Sequence, residues 1–208
     1  MKKIFLIIFF VITFLVSFAE NNLKKDLFKK SLAGVSLSMG SYFFDEQIRN
    51  MTSDFGFEFG EIIDTKVMIG TSTALYVSSY FINDEYFSKT SFQSLSSSFI
   101  TGGTILALKL LVGRARPYMN QGKDSFELFR GIDSDDYRSF PSAHSGLSWA
   151  ITTPYAERYS KWLYAIPTII SGFRVIEDKH WTSDVVFGSL IGFLTGKMAY
   201  EKEFYISF

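Results

Sequence analysis

The spacing of apolar residues constrains this chain more than any other feature. From residue 23 onward they recur every three or four positions, the period of one helix face, and alternating runs with paired turn residues are few. That pattern predicts an all-α fold: a single-domain helical bundle with about six main helices. The helices are expected near 24–50, 65–83, 87–113, 143–158, 160–177 and 182–202. Gly56 and Gly60 punctuate a break between Asn50 and Gly60, and Pro117 is expected to end the third long helix. Residues 118–140 form the longest irregular stretch, rich in Asp, Ser and Gly, and loops of that length in compact domains are often functional.

Composition narrows the classes further. A chain of 208 residues suits one domain plus a targeting segment. Lys and Arg number 21, as do Asp and Glu, so the basic surplus that nucleic-acid binding needs is missing and no nucleic-acid partner is expected. With no cysteine, disulfides and thiolate metal sites are excluded. Residues 1–19 read as a signal peptide. Lys2 and Lys3 precede an apolar run from Ile4 to Val16, followed by Ser17, Phe18 and Ala19 and then by polar residues. The competing reading is an uncleaved N-terminal anchor, for which the run is short against the roughly 20 residues a span needs. Either reading exports residues 20–208, leaving the domain periplasmic or membrane-associated with its site on the extracytoplasmic side. Residues 66–83 and 90–108 lack charge except at their ends, which leaves membrane association open.

Three clusters carry candidate chemistry. The first is Lys109 with Arg116 and Pro117, and Arg114 lies nearby; the second runs from Phe140 to His144; the third is Arg174, His180 and Asp184. His180 and Asp184 are four apart and share a face if both are helical. A carboxylate there can hold one ring nitrogen and leave the other as a nucleophilic lone pair. Ser142, Ala143 and His144 follow a proline at a helix start, where free N–H groups accept anions and a histidine can donate a proton to a leaving oxygen. Lys109 and Arg116 are two helical turns apart and point the same way if the helix continues. With Arg174 they supply three cations, which suits a phosphoryl group whose transition state spreads charge over three oxygens. Taken singly, each signal is ordinary. A basic residue at a helix C-terminus favours the helix dipole, a Ser before a helix is an N-cap, and a His–Asp pair is usually a surface hydrogen bond. However, the chain has only two histidines, and each falls in a cluster.

Together, Lys109 with Arg116-Pro117, Pro141-Ser142-Ala143-His144, and Arg174 with His180 and Asp184 resemble the three-part signature of the type 2 phosphatidic acid phosphatases. That superfamily also includes bacterial non-specific acid phosphatases and vanadium haloperoxidases. The resemblance implies that Lys109, Arg116 and Arg174 bind phosphoryl oxygens, helped by Ser142 and the Ala143 N–H. It implies that His180 attacks phosphorus to form a phosphohistidine, that Asp184 orients His180, and that His144 protonates the leaving group and then helps activate water. It implies no metal and no cofactor. Two positions depart from the pattern: Ala143 stands where the family usually has Gly, and Phe173 stands where it usually has Ser, removing a hydroxyl near Arg174.

The expected function is a phosphatase hydrolysing phosphomonoesters or lipid (pyro)phosphates through a phosphohistidine intermediate, outside the cytoplasm. The alternative is an exported acid phosphatase acting on small phosphomonoesters, whose site the acidic loop (Asp124, Glu127, Asp133, Asp135, Asp136) would cap. A vanadate-dependent haloperoxidase is a more distant reading for a chain of this size. The sequence leaves the substrate and the oligomeric state open.

Overall fold

The computed structural model describes residues 21–52 and 64–202; the expected signal segment at 1–19 and most of the break after Asn50 lie outside them. Six main helices account for most of the described chain: α1 (Asn21–Thr52), α2 (Thr65–Ile82), α3 (Glu85–Val112), α5 (Ala143–Arg158), α6 (Ala165–Ile176) and α7 (Thr182–Glu201). A four-residue turn of helix, α4 (Arg130–Asp133), sits in the long loop. Asp64 and Asp84 cap α2 and α3 by accepting from the N–H groups of Lys66 and Phe87.

The core lies where α1, α3 and α7 converge, and includes Leu27, Ile105, Leu108, Val112, Leu190, Ile191 and Leu194. Phe140 joins it and stacks on Phe187 with ring centroids 4.9 Å apart. Helices α5 and α7 pack along a ridge of small residues at four-residue spacing, Gly188, Gly192 and Gly196. A Cβ added at Gly192 would lie 1.9 Å from the carbonyl oxygen of Gly146, so the two backbones are already in contact there.

Helix α3 turns small hydroxyls inward. Ser91, Ser94, Ser97, Ser98 and Thr101 are fully buried. Ser94 and Ser97 donate to the carbonyls of Ile151 and Ala150 on α5, and Thr101 bonds Thr195 on α7 at 2.6 Å. Its large apolar side chains Phe99, Ile100 and Leu106 face outward. Among the described residues, α3 is the helix long and apolar enough to cross a membrane by length and composition.

The third long helix stops before Pro117 is reached. It ends at Val112 because Gly113 adopts a left-handed conformation, φ 59°, against the carbonyl of Glu127. The chain then runs extended through Arg114, bridged on one side to Phe126 and on the other to Arg138. Residues 118–140 are therefore folded back against the end of α3.

Gly192→Ala should cost roughly 1–3 kcal/mol by forcing α5 and α7 apart, read as a fall in Tm of roughly 2–10 °C. Gly40→Ala, where an added Cβ meets nothing within 4 Å, should cause no loss.

Candidate active site

A cleft of about 550 Å³ opens at one end of the bundle. It gathers Lys109 from the end of α3, Arg116 from the extended segment, Ala143 and His144 from the first turn of α5, Arg174 from the last turn of α6, and His180 from the turn before α7. All three clusters thus meet in one place, although they are far apart in the chain. Ile69, Ile105, Leu106 and Leu147 also line the cleft, together with Asp64, Asp135 and Arg138.

The local geometry differs from the sequence reading at three points. Lys109 and Arg116 meet across a turn, because α3 ends between them. Ser142 is fully buried as the N-cap of α5: its Oγ accepts from the Ser145 N–H and hydroxyl, and its own N–H donates to the Asp184 carbonyl. Of the second cluster, Ala143 and His144 face the cleft.

The third difference concerns His180. It precedes α7, and its Nδ1 lies 4.0 Å from the nearer oxygen of Asp184 but 2.7 Å from the main-chain carbonyl of Ser139. Asp184 is the third residue of α7 and is already engaged. It accepts from the Trp181 N–H (3.0 Å), the Ser139 hydroxyl (2.6 Å) and Arg114 Nη1 (2.5 Å). Asp184 therefore reaches the imidazole through Ser139. The carbonyl of Ser139 accepts the proton of Nδ1, which fixes the tautomer with the lone pair on Nε2.

Arg114 anchors this arrangement and is fully buried. It bonds Asp184, Ser183 and Asp45 at 2.5–2.8 Å and the carbonyl of Lys123 through two further N–H groups. Its guanidinium lies over the rings of Tyr42, Phe126 and Trp181. The backbone carbonyl of Arg114 accepts from the Ser139 N–H, so one residue holds both Asp184 and Ser139. Asp45, on α1, also accepts from the Ser183 N–H and hydroxyl at the start of α7. Also from α1, Arg49 grips Asp178 through two bonds of 2.8 and 2.9 Å and holds that residue at φ 55° in the turn before His180.

Each cation has a partner. Arg116 bonds the Asp135 carboxylate at 2.9 Å and the Lys179 carbonyl; Lys109 donates to the Arg138 carbonyl; Arg174 pairs with Glu177. Burial pushes the Lys109 amine down to about 7, and the charges of Arg116 and Arg174 act the same way. Burial, with the charges of Lys109, Arg116 and Arg174, also holds His180 well below the usual 6.5, so its imidazole is neutral near pH 7. The cleft therefore combines a neutral imidazole with a cluster of cations, an arrangement suited to attack on an anion's central atom.

The family description PAP2 superfamily matches residues 91–207, more than half of the chain. The chain belongs to the PAP2 superfamily. A protein named lipid A 1-phosphatase from Porphyromonas gingivalis is 32% identical over 89 residues, a stretch covering 39% of this chain and 20% of that protein. No solved structure matches. The PAP2 match begins at residue 91, so α1, which supplies Asp45 and Arg49, lies outside it.

Sequence reasoning had named Arg114 only as a neighbour and missed Ser139, Asp45 and Glu177. Arg114 carried a signal, as a third basic residue between Lys109 and Arg116 just past an apolar helix. Glu177 carried a weaker one, three residues after Arg174.

Two outcomes are expected. Arg114→Met should destabilise the fold by about 3–5 kcal/mol in chemical denaturation, because two buried carboxylates lose their partner. After correction for substrate ionisation, kcat/KM should fall as pH rises through about 7, where Lys109 loses its charge in the free enzyme. That alkaline limb should move upward in Lys109→Arg, whose guanidinium stays charged.

Proposed function

We propose that the chain is a phosphatase of phosphorylated lipids, working through a phosphohistidine on His180 outside the cytoplasm. The observation that carries this reading is the neutral, tautomer-fixed imidazole of His180 in one cleft with Lys109, Arg116 and Arg174.

In the proposed cycle the three cations and the Ala143 N–H at the start of α5 hold the phosphoryl oxygens. The Nε2 lone pair of His180 attacks phosphorus as the P–O bond to the alcohol breaks, and His144 gives its proton to the departing oxygen. The Ser139 carbonyl, backed by Asp184, supports the charge that develops on the imidazole. His144, now neutral, takes a proton from water as that water attacks phosphorus. The P–N bond breaks and orthophosphate leaves. Ser142 contributes by shaping the α5 terminus.

The lipid substrate is supported by the apolar wall of the cleft, where Ile69, Leu106 and Leu147 lie beside the cations. It is supported also by the outward apolar face of α3, since small polar residues inside and large apolar residues outside suit a helix lying against lipid. The relative named lipid A 1-phosphatase agrees with it. The apolar run at 4–16 supports export. A second reading, hydrolysis of small soluble phosphomonoesters, is favoured by the polar side chains Asp64, Asp135 and Arg138 that line the same cleft.

The test is phosphate release from detergent-dispersed lipid phosphates and from a chromogenic monoester, with EDTA present. Wild type should prefer the lipid and yield an acid-labile, alkali-stable phosphoprotein on rapid quenching. His180→Ala should lose activity by at least about three orders of magnitude and form no adduct. Full activity in that variant would refute the nucleophile, and preference for the monoester would select the second reading.

A further inference from the structure

The partners of the three cations in the cleft are not alike. Asp135, which pairs with Arg116, has a side chain 70% exposed and free to swing aside when an anion arrives. Lys109 rests on a carbonyl. Glu177, which pairs with Arg174 through Nη1, has a side chain only 1% exposed. Its backbone is fixed at the end of α6, where its N–H donates to the Phe173 carbonyl. A buried carboxylate in this position cannot leave for water, so it stays on Arg174 whether the cleft is empty or filled. Its second oxygen, Oε1, has no hydrogen-bond partner among the described residues, and neither has Arg174 Nε. The pair holds the guanidinium at the wall of the cleft.

We propose that Glu177 is a positioning residue for the phosphoryl site: it fixes the plane of the Arg174 guanidinium so that the cation meets phosphoryl oxygens without first being ordered. Arginine binds a tetrahedral oxyanion through directed N–H groups in a planar fork, so its grip depends on orientation as well as on charge. A free Arg174 would lose rotamer freedom at each binding event, and Glu177 meets that cost during folding. Arg174 holds substrate and product alike, so losing its orientation weakens binding more than it slows the chemical step. This inference rests on the reading of the cleft as a phosphoryl site.

Two measurements on the full chain test it: calorimetric binding of inorganic phosphate, and steady-state hydrolysis of a chromogenic phosphomonoester. Glu177→Ala should raise KM and weaken phosphate binding roughly tenfold or more, the size of one lost directed contact, with kcat changed less than about threefold. Glu177→Gln, which keeps an acceptor for Nη1, should recover most of that affinity. Should the alanine variant not fold, Arg174→Met and Arg174→Met/Glu177→Leu remove the buried pair without stranding a carboxylate in the double variant. The double variant should bind phosphate no more weakly than Arg174→Met alone. Unchanged phosphate affinity in Glu177→Ala, equal damage in Glu177→Gln, or a further loss in the double variant would overturn the proposal. Phosphate binding without hydrolysis in wild type would sink the phosphatase reading and leave this inference standing; no phosphate binding at all would sink both.

Discussion

The cleft depends on one buried ionic contact, Arg114 between Asp184 and Asp45. None of the three side chains is more than 1% exposed, so each is stabilised by the others and by the main-chain N–H groups, hydroxyls, carbonyls and rings around them. Such a cluster contributes little net stability compared with apolar packing, but it tolerates few alternative arrangements. Arg114 meets α1 through Asp45, α7 through Asp184 and Ser183, the long loop through the Lys123 carbonyl, and the segment before α5 through Ser139. With every donor committed, the positions of Ser139 and of the α7 terminus are set together, and the imidazole of His180 lies between them. The apolar core beneath, with Phe140 stacked on Phe187, supplies the cohesion that this polar cluster does not.

The electrostatics of the cleft follow from the same economy of solvent. Lys109, Arg116 and Arg174 repel one another in a partly dry space. The structure relieves that repulsion with Asp135, Glu177 and an amine that gives up its proton near neutrality. The resulting site is less positive than its three basic residues suggest. An incoming dianion would restore the Lys109 charge on binding, drawing a proton onto the protein. His180 stays neutral for the complementary reason, since a charged imidazole would be both desolvated and surrounded by cations.

Much of the architecture could be read from the sequence because helix faces are local. The predicted segments fall close to α1, α2, α3, α5 and α7, and the short α6 emerges from the predicted 160–177 after a 3-10 turn at Lys161–Tyr164. The basic residues and histidines of the three clusters also came together, since spacing within each cluster reflects local geometry. What failed had non-local causes. Lys109 and Arg116 share a cleft by way of a left-handed Gly113, which apolar periodicity does not reveal. The four-residue spacing of His180 and Asp184 suggested a direct bond, yet the helix begins between them and the imidazole turns to a main-chain carbonyl that no residue type announces. Asp45 lies 69 positions from Arg114 in a helix whose own pattern gives no reason to single it out.

The reach of α1 into the turn that carries His180 bears on how the cleft is completed. Asp45 and Arg49 contact residues well over a hundred positions later, at Ser183 and Asp178. Contacts of that separation close large loops, and the closure entropy has to be met before the contact rewards it. A chain with α5 and α7 zipped together but α1 undocked would have most of its secondary structure and an unfinished His180 turn. Competence of the cleft is therefore a property of the completed fold, with α1 docked, rather than of the matched segment alone.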